Sequence, residues 1–199
     1  MILPDYGDDP ITTDDPEKII YHAESLLKAA GLNTVTWTVE MFGGKRALGR
    51  CWWREGPRPI DPPKAGKIKI SRPWYVDLGV ETMKKHAPER FPDHILEDTI
   101  RHEIAHAVAM ERYGVQDGGG HGWPWEQIAE ECGAVPNRCT EDILTHLMAP
   151  YERVCSNCGS HKKWLYQYSE RKRPRYCTVC DAPPLDSQLE VIENERQVM

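Results

Sequence analysis

"RHEIAHAVAMERYG" spans residues 101–114 and carries two histidines that stand four positions apart. Apolar residues recur at helical spacing through this stretch, which predicts an α-helix. Because positions i and i+4 lie on the same face of a helix, His102 and His106 can bind one metal ion together. Glu103 projects beside them, so its carboxylate can act as general base on a zinc-bound water without being a ligand. The stretch therefore predicts a helix with a catalytic zinc site.

An ordinary surface helix with two solvated histidines is the alternative interpretation, because short motifs also occur by chance. The apolar residues Ile100, Ile104 and Val108 flank the histidines, however, and place them at the edge of the buried side of the helix. This placement favours the metal site.

A catalytic zinc ion takes three protein ligands and keeps a fourth position open. The extended motif H-E-x-x-H-x-x-G-x-x-H is excluded, because Ala109 and Arg112 occupy its glycine and its third histidine. His121 is the favoured third ligand, because the glycines around it let the chain turn sharply before the next helix. Glu126 remains an alternative, as in thermolysin-like enzymes. The other downstream candidates are Glu130, Glu131 and His146.

The remaining elements are predicted from apolar periodicity, capping residues and turn residues. They are helices at 16–30, 124–133 and 140–148, and strands at 34–40, 47–53 and 67–71. A Gly-Gly turn between the first two strands predicts that they form a hairpin. The order of the elements predicts an α+β fold, in which a small antiparallel sheet packs with the helices.

The chain has seven cysteines, and four of them form two C-x-x-C pairs separated by 18 residues. Cys155, Cys158, Cys177 and Cys180 therefore predict a structural four-cysteine zinc site, since four thiolates close a tetrahedron around the ion. A redox role for C-x-x-C would need a βαβ context, which is not predicted here. The other three cysteines are predicted to be buried thiols.

Cations and aromatic residues are concentrated between the two cysteine pairs. Phosphate-binding cations next to aromatic side chains that can stack on bases are typical of single-stranded nucleic-acid binding. The alternative is a solvated hairpin whose aromatic residues cover the zinc site. The candidate DNA contacts are Lys162, Lys163, Trp164, Tyr166, Tyr168, Arg171, Lys172, Arg173 and Arg175.

The composition of the 199 residues is globular, with 40% hydrophobic and 28% charged residues and a net charge of −6. The N-terminus has no signal-peptide pattern, and no apolar run is long enough for a membrane helix. We therefore expect an intracellular protein, cytoplasmic or at the nucleoid or nucleus, with no membrane partner. The predicted organisation is a flexible acidic arm (1–15), a catalytic domain (16–150), a zinc ribbon (151–181) and a disordered tail (182–199).

Four stretches, together with the four-cysteine ribbon, resemble the SprT-like metalloproteases, which include the Spartan proteases. They are "WTVEMFGGKRALGRCWW", "KIKISR", "ILEDTIRHEIAHA" and "GHGWPWEQIAEECGA". The resemblance covers about residues 17–181. It implies that His102, His106 and His121 bind the catalytic zinc and that Glu103 is the catalytic residue. The chain departs from the family at Trp-Pro-Trp, residues 123–125, which stands beside the cleft and not at the ligands.

The resemblance also implies that the ribbon binds DNA and that the substrates are proteins on DNA or crosslinked to it. The sequence thus predicts a zinc endopeptidase with two Zn²⁺ ions, one catalytic and one structural. Two other hypotheses stay open. One is a DNA-binding adaptor with an inactive or structural metal site, and the other is a different small zinc hydrolase, such as an aminopeptidase.

Overall fold

The structure is a computed structural model, and it falls into two compact units, Met1–Cys139 and Thr140–Met199. The predicted boundary lay at 150/151. The residues that the structure describes are 3, 11–54, 58–86, 94–136, 151–159, 161–165, 177, 179–180 and 189–193. The two units are described separately below.

The first helix, α1, spans Pro16–Ala29, close to the predicted range. The Asp15 carboxylate caps it by accepting hydrogen bonds from the backbone N–H groups of Glu17 and Lys18, which would otherwise lack partners. Pro16 occupies the first turn, where its missing N–H costs nothing. Its apolar side, which includes Ile19 and Leu27, is buried.

A three-stranded sheet follows, with strands β1 (Trp37–Phe42), β2 (Gly49–Arg54) and β3 (Ala65–Ser71). The strand order is β1-β3-β2, with β1 parallel and β2 antiparallel to β3. The prediction of an antiparallel sheet with a β1–β2 hairpin is therefore wrong. Two side chains of β3, Ile68 and Ile70, are fully buried, so this strand takes the central place.

The register of β1 against β3 depends on a glycine. A Cβ atom on Gly66 would lie 2.1 Å from the indole ring of Trp37, the residue directly opposite it. The absence of a side chain at Gly66 thus lets a fully buried tryptophan lie across the central strand. Val35 falls within the predicted strand 34–40, but it precedes β1 and is 89% exposed.

After β3 the chain forms a π-helical segment, Pro73–Leu78, and a short helix α2, Val80–His86, neither of which was predicted. The helix with the two histidines is α3, Ile95–Gly118, and it packs against β2 and β3. Helix α4, Trp123–Glu131, packs against α3. The middle of α3 is buried on all sides between these elements, which explains why its polar side chains are enclosed as well.

A buried ion pair fixes the start of α3 to its neighbours. Arg101 donates a hydrogen bond from Nε to Glu97 Oε1 (2.7 Å) and one from Nη1 to the carbonyl oxygen of Cys132 (2.8 Å), just after α4. His22 of α1 lies with Nε2 2.5 Å from the other Glu97 oxygen. We call these residues the Glu97–Arg101 clamp; it connects α1, α3 and the end of α4.

The second unit contains a separate antiparallel sheet with the order β5-β4-β6. Its strands are β4 (Tyr151–Cys155), β5 (His161–Leu165) and β6 (Leu189–Glu193). Strand β6 contradicts the prediction that 182–199 is a disordered tail, because five of those residues pair with β4. Leu189 and Val191 share one side of the strand, a short alternation that the acidic composition of the segment obscured. The predicted helix at 140–148 lies outside the described residues.

Candidate metal centres

The structure brings His102, His106 and His121 together. The Nε2 atom of His121 lies 3.2 Å from Nε2 of His102 and 3.2 Å from Nε2 of His106. Candidate ligand atoms of the three side chains all lie within 4.8 Å of one another. The first two histidines share one face of α3, as their spacing predicts, and the third comes from the loop before α4.

Two glycines bring the chain back to His121. At Gly114 the helix kinks with φ 81° and ψ 169°, and a side chain there would meet the carbonyl of Ile60. At Gly118 a Cβ atom would lie 2.4 Å from the backbone of Ala109, so the returning chain lies directly against α3. The turn was predicted at the glycines around His121. The glycines that the geometry requires begin earlier, at Gly114.

Trp125 packs against all three histidine rings. Its ring lies 4.7 Å from that of His102, 4.5 Å from that of His121, and 5.0 Å from that of His106, on which it stacks at 24° between the planes. The side chain is 1% exposed. A rigid aromatic wall of this kind restricts the rotamers of the imidazoles. The prediction that residues 123–125 stand beside the cleft and not at the ligands is therefore wrong for Trp125.

Burial keeps the imidazoles of His102 and His106 neutral. It lowers the pKa of His102 to about 4, with a further lowering from His121. It lowers the pKa of His106 to about 3, helped by the two other histidines and opposed by the backbone of Gly118. Metal ligation requires a neutral imidazole with a free lone pair, so the cluster offers nitrogen donors at neutral pH.

Glu103 is enclosed between α3 and β2. A Cβ atom on Gly49 would lie 2.7 Å from Glu103 Oε1, so this glycine leaves the space that the carboxylate occupies. The backbone N–H of Cys51 donates a hydrogen bond to the carboxylate. Burial raises the pKa of Glu103 to about 8, against lowering by that hydrogen bond and by the charge of Arg50. Neither Gly49 nor the Cys51 amide was identified from the sequence.

The spacing of the histidine nitrogens fits a zinc ion. A tetrahedron with Zn–N bonds of about 2.0–2.1 Å has N···N edges of about 3.3–3.4 Å. The two Nε2 separations of 3.2 Å are close to this value. Three imidazoles are also a donor set typical of catalytic zinc. The residues present therefore fit the ion that the sequence predicts.

The four cysteines of the two C-x-x-C pairs form a second cluster. Cys155 Sγ lies 3.7 Å from Cys180 Sγ, and Cys158 Sγ lies 3.8 Å from Cys177 Sγ. A zinc ion with four bonds of about 2.3 Å requires S···S edges of about 3.8 Å, which these distances match. They are far longer than a disulfide bond, so none of the four cysteines is joined to another by a disulfide.

The remaining predicted ligands do not join the histidine cluster. Glu126 and Glu130 are exposed on α4, and Glu131 Oε2 lies 3.3 Å from Arg112 Nη1. His146 lies outside the described residues. Glu126 is thus absent from the set of possible metal-binding side chains in the described part of the chain.

The predicted DNA contacts are described only in part. Lys162, Lys163 and Trp164 lie on β5, where Trp164 is opposite Glu152 of β4. The predicted alternation of Trp164 with two tyrosines reaches beyond β5, which ends at Leu165. The other predicted DNA-contacting residues lie outside the described residues; they are Tyr166, Tyr168, Arg171, Lys172, Arg173 and Arg175.

A helix with two histidines one turn apart and a glutamate between them, completed by a third histidine ahead of the next helix, defines a metallopeptidase-like protein. The chain belongs to the SprT-like family, whose model matches residues 22–146. That family is generally associated with metalloprotease activity. The match includes the histidine cluster and Glu103 and ends before the four-cysteine cluster. The search of curated proteins and the search of solved structures found no match. No helix in the described part of the chain is long and apolar enough to cross a membrane.

Proposed function

We propose that the protein is a zinc-dependent endopeptidase in which His102, His106 and His121 hold the catalytic ion and Glu103 is the general base. One observation carries the proposal: three imidazoles come together with zinc-compatible spacing, and Glu103, the residue that follows the first of them on α3, has a buried carboxylate. Three protein ligands leave a position open for substrate, whereas a structural zinc site is closed by four. A purely structural site would also need no buried base.

A zinc ion at this cluster supplies Lewis-acid chemistry, since it lowers the pKa of water and polarises a carbonyl group. Glu103 accepts the proton from the attacking water and can pass it to the leaving amine. The Cys51 N–H holds the carboxylate in place during this transfer. A divalent cation nearby favours the ionised carboxylate, which offsets the effect of burial on its pKa.

The sheet offers a way to bind an extended peptide. Strand β2 lies at the edge of the sheet among the described strands, and its first residue, Gly49, contacts Glu103. An extended chain can pair with the backbone of an edge strand and place one of its peptide bonds beside the base. This binding mode supports internal cleavage, because the chain can continue in both directions.

The proposed substrates are proteins bound or crosslinked to DNA, and the second unit provides the DNA contact. The four-cysteine cluster holds a structural zinc ion there. Lys162, Lys163 and Trp164 on β5, with the aromatic and basic residues that follow them in sequence, bind single-stranded DNA. The support for this part is the composition of the segment and the resemblance to DNA-directed SprT-like proteases.

Glu103→Gln tests the enzyme mechanism. The amide cannot accept a proton, so cleavage of an unfolded protein substrate should be abolished while zinc content and fold are retained. Glu130→Gln removes an exposed carboxylate from α4 and should leave cleavage unchanged. Unchanged turnover in metal-loaded Glu103→Gln would refute the mechanism. Wild-type activity that is confined to peptides with a free N-terminus would indicate an aminopeptidase.

The ligand assignment is tested by zinc analysis. His121→Ala should lose about one equivalent of zinc, because it removes one of only three protein ligands. Glu126→Ala should keep its zinc, since that side chain is exposed and outside the cluster. The reverse outcome would favour a thermolysin-like site. An inactive protein that still binds DNA would favour the adaptor hypothesis.

A further inference from the structure

The positive charge of the first unit is concentrated in its sheet and in the segments next to the strands. Residues 37–72 hold nine Lys/Arg and three Asp/Glu, in a chain whose net charge is −6. The helices and the N-terminal arm therefore carry most of the acidic residues. A local reversal of charge of this size creates an attractive field for anions at one surface of an acidic protein.

The four cations on strands β2 and β3 face the same side of the sheet. In β2 and β3 the burial alternates, with Gly49, Cys51 and Trp53 on the side of α3, and with Gly66, Ile68 and Ile70 beside them. The alternate residues face the other way. We call this the outer sheet face; it comprises Arg50, Trp52 and Arg54 of β2, Lys67 and Lys69 of β3, and Glu40 of β1.

The outer sheet face carries more positive than negative charges. The Glu40 carboxylate accepts hydrogen bonds from Lys67 Nζ (2.6 Å) and from Lys69 Nζ (2.8 Å), so one negative charge is shared by two positive ones. Within the described part of the chain, no ion pair involves Arg50 or Arg54. The outer sheet face thus has a surplus of about three positive charges, and one of its cations, Arg50, lies over the ring of Phe42, 5.6 Å from the centroid.

An exposed tryptophan lies among these cations. Trp52 is 48% exposed, directly opposite Lys67, with Arg50 and Arg54 two residues away on either side. Two residues along a strand span roughly 7 Å, so all three cations lie within reach of a ligand on the ring. A stacking surface surrounded by cations suits a polymer that has both phosphates and unpaired aromatic bases. A duplex keeps its bases stacked inside and offers the indole no partner.

We propose that the outer sheet face binds single-stranded DNA, with Trp52 stacking on a base and Arg54 and Lys67 contacting phosphates. This would be a second DNA contact, on the unit that carries the histidine cluster. It deepens the proposed function, because DNA would then be held by the catalytic unit as well as by the ribbon. Binding needs no turnover, so a binding assay decides this proposal even if the chain cleaves nothing.

The test uses the full-length chain and fluorescein-labelled single-stranded (dT)20, with anisotropy titrations at several salt concentrations. Trp52→Ala should weaken binding at least about fivefold, because a stacked base is lost. Tyr21→Ala is the matched control, since Tyr21 is a 73% exposed aromatic residue on α1. The affinity of this control should equal that of the wild type.

The paired variant Arg54→Gln/Lys67→Gln tests the phosphate contacts. It should reduce the slope of log affinity against log salt by about 1.4, since each phosphate contact on a single strand contributes about 0.7. Lys18→Gln/Lys28→Gln removes the same charge from exposed positions on α1 and should reduce it less. Circular dichroism and thermal unfolding of each variant confirm that the substituted chain is folded.

Three outcomes would overturn the proposal. The first is (dT)20 binding that is unaffected by the Trp52 and Arg54/Lys67 changes. The second is an equal loss in both charge variants with no effect of Trp52→Ala, which would indicate only the general field of the protein. The third is weakened binding of a labelled poly-glutamate peptide with (dT)20 binding unchanged, which would show that the outer sheet face is a site for acidic proteins.

Discussion

Trp125 and Gly49 determine, at the scale of single residues, whether the proposed catalytic groups meet. Neither is a ligand or a base. Trp125 supports the three imidazoles from behind, and Gly49 leaves room for the carboxylate. The centre therefore depends on side-chain volume at these two positions as much as on the polar residues.

Trp125→Ala should destabilise the protein by about 3–5 kcal/mol, because it removes a fully buried indole and leaves a cavity. The histidine rings would also lose their support, so the histidine cluster should bind zinc more weakly. Trp123→Ala, two positions away and 69% exposed, should change stability by less than about 0.5 kcal/mol. Urea unfolding and zinc competition measure both effects. Equal stabilities of Trp125→Ala and Trp123→Ala would contradict this role for Trp125.

Gly49→Ala should impair cleavage and leave zinc binding intact. The new methyl group would overlap the Glu103 carboxylate and displace the base, and a misplacement of about 1 Å costs roughly a hundredfold in rate. Gly43→Ala is the control, because a Cβ atom there meets no atom within 4 Å. Steady-state cleavage of a quenched-fluorescence peptide compares the two. Wild-type activity in Gly49→Ala would mean that the base tolerates displacement.

At the scale of elements, the Glu97–Arg101 clamp holds α4 against α3. Breaking a buried ion pair by removing one partner typically costs about 3–5 kcal/mol, because the other charge stays buried without compensation. The consequence for the centre is indirect. The clamp fixes the far end of the helix that follows His121, so it helps to set where that helix begins.

The clamp also predicts an acid-sensitive stability. Burial raises the pKa of Glu97, but hydrogen bonds from His22 and Arg101 outweigh this and lower it below its ordinary value of 4.5. A carboxyl group whose pKa is lower in the folded state contributes stability above the unfolded pKa and loses it as the pH falls through the folded pKa.

Glu97→Gln should therefore be less stable than the wild type at pH 7, by about 3–5 kcal/mol, with the difference shrinking below about pH 4.5. Denaturant unfolding as a function of pH measures it. Glu130→Gln changes an exposed side chain on α4, so its free energy of unfolding should show the same pH dependence as that of the wild type. A Glu97→Gln deficit that is constant with pH would exclude the ionised carboxylate as its source.

An element of this fold can be predicted from the sequence when the residues that determine it are close together in the chain. The bounds of α1 follow from its caps and its apolar periodicity, which are written in consecutive residues. The strand order does not, because the pairing of β1 with β3 depends on Trp37 lying over Gly66, two residues 29 positions apart. The local Gly-Gly turn favoured a hairpin, and this long-range packing overrode it.

Some residues of the candidate site can likewise be predicted from local sequence patterns, and others cannot. His102, Glu103 and His106 follow from helical periodicity, and the return of His121 is indicated by its glycines. The roles of Gly49, Trp125 and the Cys51 amide come from contacts between distant elements, so no local pattern carries them. In the second unit, the short strand β6 is not predicted because it has only three apolar residues in an acidic segment.

At the scale of the whole molecule, the two candidate metal centres lie in different compact units. Cys158→Ser should therefore lose about one of two zinc equivalents, and the histidine cluster should keep its ion. Cleavage of a DNA-free unfolded protein should persist, whereas binding of single-stranded DNA should weaken as the ribbon loosens. Elemental analysis and cleavage assays of the variant test this. Loss of both ions would show that the centres are coupled.

The kink at Gly114 has a consequence for how the first unit folds. His102, Glu103, His106 and His121 all lie within 20 consecutive residues, and the kink lets the chain bring His121 back to the other two histidines. The entropy lost on closing a loop grows with its length, so groups this close in sequence can meet before the sheet is assembled. A metal ion bound by such a segment would act as an early local crosslink, and its removal would first loosen the turn between α3 and α4.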